Sequence, residues 1–121
     1  MAKPNVIAEK SEDFAVRIVN LSRFLMEEKK EFIISKQIFR SGTSIGANVA
    51  ESRNAQSPND FINKMNIALK EADETSYWLR LLRRTNYISE EQLQSLYSDV
   101  NELISILSSI IKTKRNKLSD V

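Results

Sequence analysis

The chain has 121 residues, 28% of them charged, with 18 lysines and arginines against 16 carboxylates and a net charge of +2. That length is expected to make one domain over 1–121, large enough to bury a core without covalent staples. It has no cysteine and no histidine, and only two glycines and two prolines. This excludes disulfides and thiolate chemistry, removes the commonest general base and metal ligand, and leaves too few turn residues for a β-sandwich or barrel.

The chain reads as four helices. Ser11 is placed to cap the first, with Glu12 and Asp13 in its first turn. Phe14, Ile18, Leu21 and Leu25 follow at spacings of four, three and four, which is helical period. The expected span is 11–29, closed by "EEKKE"; Ile7 lies on the same line, so a start near Asn5 is the alternative. The second helix, 34–55, has Ile38, Gly42, Ile45 and Val49 on its core line. The third, 58–85, opens on "SPND", with Ser57 as cap, Pro58 at the first helical position and Asp60 three past the cap. Phe61, Met65, Ala68, Ala72 and Leu79 align along it, and Asn86 is suited to end it in the left-handed conformation. The fourth, 89–115, begins with the capping box "SEEQ" and carries Leu93, Leu96, Val100, Leu103, Leu107 and Ile110. Its tail, "KTKRNKLSDV", reads as frayed. Short connections make neighbours antiparallel, so the expected fold is an all-α, up-down-up-down four-helix bundle.

Both glycines fall in "RSGTSIGANVAE", between Arg40 and Glu51. A Walker-type phosphate loop would need a lysine and a preceding strand, and the stretch has neither. A linker would lose register, yet Ile38, Ile45 and Val49 keep helical spacing across both glycines. Close packing remains: each glycine costs about 1 kcal/mol in a helix interior, and a bulky or backbone neighbour offsets that. Gln37, Ser41, Ser44, Asn48 and Ala55 form a narrow uncharged stripe, expected to face protein, and Gly46 lies near Ala50 and Phe39 on the wheel.

The third helix carries a second apolar flank. Ile67, Trp78 and Leu81 lie off its core line, interleaved with Glu71 and Glu74. One bundle buries one stripe per helix, so this flank is read as a contact between subunits of a symmetric homo-oligomer. Asn48, Glu51, Glu71 and Tyr77 are candidates for a polar network that fixes register. An all-carboxylate magnesium site from Glu51, Glu71, Asp73 and Glu74 competes with simple salt bridging to Lys70, Arg40 and Arg53.

Five segments, "NVIAEKS", "FAVRIV", "RSGTSIGANVAES", "DFINKMNIALKEADETSYWLRLL" and "LISILSSIIKT", together resemble a bacterial four-helix-bundle family. That family includes proteins encoded within intervening sequences of the large-subunit ribosomal RNA gene. The resemblance implies a ring-shaped homopentamer, a largely unassigned role and no catalytic residues. A more distant similarity, to the accessory protein of diversity-generating retroelements, implies by analogy alone a pentamer that binds a reverse transcriptase and nucleic acid.

Two basic clusters remain. Arg80, Arg83 and Arg84 end the third helix; Lys112, Lys114, Arg115 and Lys117 end the fourth. Cations are favoured at helix C-termini whatever the function. A ring, however, would repeat each cluster into a positive rim suited to phosphate backbone. The expected function is therefore a non-enzymatic oligomeric scaffold that binds RNA or a ribonucleoprotein enzyme through its basic ends. The competing reading is a protein-interaction adaptor using the apolar flank and the serine face of the fourth helix, Ser95, Ser98, Ser105 and Ser109. No cofactor, metal or small-molecule substrate is implied. The chain shows no apolar signal core and no membrane-spanning run, so it is expected to be soluble and cytoplasmic.

Overall fold

The computed structural model describes residues 5–120, so the expected domain over 1–121 extends beyond the described residues at both ends. Four helices follow one another: α1 (Val6–Glu27), α2 (Ile34–Ser52), α3 (Pro58–Arg84) and α4 (Glu90–Ser119). Each packs antiparallel on the next and α4 returns beside α1, giving a four-helix bundle with no direct diagonal packing. The α1–α4 seam is the loosest of the four. It is bridged by ion pairs from Lys10 to Glu102 and from Arg17 to Asp99.

The helix starts follow from side-chain caps. Ser57 accepts from the Asp60 N–H at 3.0 Å, and Ser89 and Gln92 form a reciprocal capping box. α1 starts at Val6, so the alternative near Asn5 holds and the start at Ser11 does not: the Asn5 side chain accepts the Ala8 N–H at 3.1 Å and supplies the cap. Ser11 is instead a buried residue inside the helix, its hydroxyl donating to the Ala8 carbonyl.

The ends also differ from expectation. α1 stops at Glu27, two residues early, where Lys30 turns the chain through φ 54°. α2 stops at Ser52 and not Ala55, since the N–H groups of Arg53, Asn54 and Ala55 close tight turns onto Ala50, Glu51 and Ser52. α3 ends as expected at Asn86, with φ 68°. The Asn86 and Tyr87 N–H groups reach the Arg83 and Leu82 carbonyls, which is the Schellman pattern. α4 is not frayed after residue 115 but continues to Ser119. Part of the reason is that Lys114 lies over the Phe61 ring of α3, 5.1 Å from its centroid.

The core consists of the expected lines with two substitutions. Phe14, Ile18, Leu25, Ile38, Ile45, Val49, Leu79, Val100, Leu103 and Leu107 are fully buried. Ile62 takes the buried position that the α3 pattern gave to Phe61, and Ile111 takes the one that α4 gave to Ile110; the displaced residues are half-buried at the bundle edge. The two glycines set how closely α1 and α2 approach. A Cβ on Gly42 would stand 2.7 Å from Ile18 Cγ1, and one on Gly46 would stand 3.3 Å from the Ser11 carbonyl oxygen. At the other end of this pair, the buried Ser22 hydroxyl donates to the Ser35 carbonyl at 3.2 Å.

The connection between α1 and α2 is organised by one carboxylate. Glu31 is buried and accepts the N–H groups of Ser35 at 2.7 Å, Ile34 at 3.0 Å and Ile33 at 3.1 Å, all at the α2 N-terminus. Burial alone would raise its pKa, but the backbone donors Ile34, Ser35 and Ile33 outweigh that and hold it below the ordinary glutamate value.

Two outcomes follow. Gly42→Ala should lower stability by about 1–3 kcal/mol despite its better helix propensity, because Ile18 branches at the point of overlap. In a thermal or urea melt, Ile18→Ala should recover part of that loss in the double variant, so that the two changes are less than additive. Glu31→Gln should cost about 1 kcal/mol at neutral pH, in the range of a lost helix cap. A depressed folded pKa stabilises above the ordinary value of about 4.3 and that contribution fades as pH falls. The gap between wild type and Glu31→Gln should therefore be full above that ordinary value and close as pH falls below it through the depressed folded pKa.

Candidate functional site

The residues expected at a subunit contact or in close helix packing divide among three places. Ser41 and Gly42 are inside the bundle. The Thr75 hydroxyl lies 2.9 Å from Ser41 Oγ and 2.8 Å from the Glu71 carbonyl, so two small polar groups join α2 to α3 where a larger side chain would not fit. Gly46 and Ala50 lie on the α1 side of α2, beside Ala8 and Ala15 in a shallow cleft. The close neighbour of both glycines is α1 of the same chain.

The remaining residues share the outer face between α2 and α3. Ser44 and Asn48 are half-buried and close onto their own helix, donating to the Arg40 and Ser44 carbonyls. Arg40 crosses to α3, pairing with Glu71 at 3.1 Å and with Glu74. The Trp78 indole N–H donates to the same Glu74 carboxylate at 2.9 Å. Ile67, Trp78 and Leu81 are half-buried, and Tyr77 is exposed with its ring edge-on to Trp78 at 4.9 Å. Arg40 thus neutralises two carboxylates that would otherwise repel each other, and one of them positions the only tryptophan.

Within one chain the four candidates for a polar network do not join each other. Asn48 bonds within α2, Glu51 pairs with Lys64 at 3.3 Å, Glu71 turns to Arg40, and Tyr77 lies beside Trp78 and Arg80. Of the four carboxylates considered for magnesium, Glu71 and Glu74 share Arg40, Glu51 pairs with Lys64 and Asp73 is exposed. Among the described residues no three carboxylates gather as a metal site would require.

The basic clusters sit at opposite ends of the bundle. Arg83 approaches Glu90 at 3.8 Å, Arg80 lies 6.0 Å from the Tyr77 ring centroid, and Arg84 is exposed. The same end carries Phe32 and Ile33, 50% and 77% exposed. Sequence reasoning passed over them, although "FII" has no place on either neighbouring core line and that was the available signal. At the other end, none of Lys112, Lys114, Arg115 and Lys117 has a carboxylate within 4 Å among the described residues. Lys112 and Arg115 rim one cleft of about 340 Å³, while Lys114 and Lys117 rim another of about 270 Å³ on the opposite flank of α4. Ser95, Ser98, Ser105 and Ser109 are exposed on α4, and Ser95 offers its carbonyl and hydroxyl to Arg17. No helix among the described residues is long and apolar enough to cross a membrane.

The described residues form an all-helical four-helix bundle tied by ion pairs between its helices. Residues 3–109 match the model of the 23S rRNA-intervening sequence proteins, and the chain belongs to that family. It is also similar to a protein of unknown function from the S23 ribosomal protein family of Bacteroides thetaiotaomicron VPI-5482, whose crystal structure is known at 1.70 Å. The two are 63% identical, with 89% of this chain and 96% of that one aligned at a TM-score of 0.89. A search of curated proteins returned no match.

The Ser41–Thr75 pair supplies a test of how the polar stripe is held. Thr75→Val should cost about 1–2 kcal/mol, because the buried Ser41 hydroxyl then keeps only the distant Ile38 carbonyl at 3.5 Å. In chemical denaturation, adding Ser41→Ala should return much of that loss.

Proposed function

We propose that this protein is a non-enzymatic, homo-oligomeric scaffold that holds RNA by its phosphate backbone. The supporting observation is the C-terminal end of α4. Its four cations gather at 112–117 on a continuous helix, with no carboxylate within 4 Å among the described residues. Free cations on a rigid rod exchange counterions for phosphates without reading bases.

Assembly belongs to the same reading. The half-buried Ile67, Trp78 and Leu81 on the α2–α3 face are the surface a second copy would cover, and a ring, pentameric by family resemblance, would multiply each basic end around its axis. Arg80, Arg83 and Arg84 would form the opposite rim. A protein-interaction role is the second reading, favoured by the exposed Phe32 and Ile33.

Light scattering should give a mass near five times the 13.9 kDa of one chain. Gel-shift titration with unrelated RNAs should show affinity that falls steeply with salt. Replacing Lys112, Lys114, Arg115 and Lys117 by Gln should flatten that dependence by about 0.7 in log–log slope per lost phosphate contact on a single strand. A monomer, or binding indifferent to these four changes, would overturn the proposal. Recovery of one stoichiometric protein after nuclease treatment would favour the second reading.

A further inference from the structure

We infer that the α4 C-terminal site takes single-stranded RNA, with unstacked bases entering the two clefts that flank the helix and Phe61 acting as a stacking platform. This inference rests on the RNA-binding reading above.

The two clefts differ in charge from three others on the molecule. The clefts along the α1–α4 seam carry Glu91 in one case and Asp13, Asp99 and Glu102 in the other, and the α1–α2 cleft carries Glu12. Neither cleft beside the α4 C-terminus is lined by a carboxylate. One has Leu69 and Ile111 in its lining and Lys112 and Arg115 at its rim; the other has Phe61 and Ile110, with Lys114 and Lys117.

That combination separates two kinds of RNA. A duplex keeps its bases stacked inside and offers only phosphates and sugar hydroxyls to a side chain, so an apolar lining gives it nothing. A single strand presents both a charged backbone and apolar base faces, and the known solution is a cationic groove with aromatic platforms. Here the cations fall in pairs three residues apart, Lys112 with Arg115 on one flank and Lys114 with Lys117 on the other. A strand crossing α4 therefore meets positive charge on both sides of the rod. Asn66 and Ser108 in the first cleft, and Ser109 and Thr113 in the second, supply uncharged hydrogen-bonding groups.

Phe61 is the second observation. Helical periodicity places it in the core, yet Ile62 occupies that position and the Phe61 ring stays half-buried at the cleft. Its visible partner is the Lys114 ammonium at 5.1 Å, which has no carboxylate of its own. A base can take the ring face while the lysine swings to the adjoining phosphate, so the cation–π contact is exchanged for stacking plus an ion pair.

The test is fluorescence anisotropy with a labelled, unstructured 15-nucleotide RNA and with the same RNA in a blunt duplex, at low and moderate salt. The single strand should bind at least tenfold more tightly. Phe61→Leu, which keeps an apolar side chain against the core, should weaken single-strand binding fivefold or more and leave the duplex unchanged. Phe61→Tyr should restore it. Should Phe61→Leu fold poorly by circular dichroism, Thr113→Glu puts a carboxylate at an exposed position in the same cleft and should reduce the single-strand preference. Equal binding of the two RNAs, or a folded Phe61→Leu that binds the single strand like wild type, would overturn the inference. In that case salt-dependent binding lost on neutralising the four cations would leave the scaffold reading standing. No binding of either RNA would remove both.

Discussion

The close approach of α1 and α2 fixes the frame in which every other surface is placed. Gly42 has no room for a methyl group beneath Ile18, and Gly46 lies against the Ser11 backbone. With those two points of near contact, α2 cannot rotate about its axis without opening the core. The rotation then decides the rest. Ser41 must point at α3, where Thr75 meets it; Arg40 must point outward beside Glu71 and Glu74. Glycine in a helix interior is unfavourable by about 1 kcal/mol, and its presence twice in one turn and a bit is understandable only because the neighbouring helix fills the space.

The fold was largely legible because it rests on period and punctuation. The α4 line from Leu93 to Leu107, the Ser57–Pro58 start and the Ser89–Gln92 box each state a local preference that tertiary packing does not contradict. The misreadings arose where two local signals competed. Ser11 has the chemistry of a cap, but Asn5 has it too and lies ahead of Ile7, whose burial draws the helix back. Phe61 and Ile62 are both apolar at the edge of the stripe, and only the position of α4 decides between them. The α4 tail has the composition of a frayed end, yet its contact with Phe61 comes from a residue more than fifty positions away.

The candidate surfaces were legible as residue lists and not as places. Gly46 and Ala50, expected in close contact, turn toward α1 and away from the Trp78 face. A helical wheel gives angles but not which neighbour stands at each angle. Charge was more readable: the two basic runs are contiguous in sequence, so their clustering needs no tertiary information. What required coordinates was the pairing. Carboxylates reach Lys10, Arg17, Arg40 and Lys64, while the four cations gathered at 112–117 have none within 4 Å among the described residues.

Glu31 has a consequence of a different kind. Three amides converge on its carboxylate, so the corner between α1 and α2 has already surrendered its conformational freedom when the chain folds. Ile33 and Phe32 are therefore displayed by a stiff elbow and not by a floppy loop. Any surface that came to rest on them would gain the burial of two large side chains without first having to immobilise the segment that carries them.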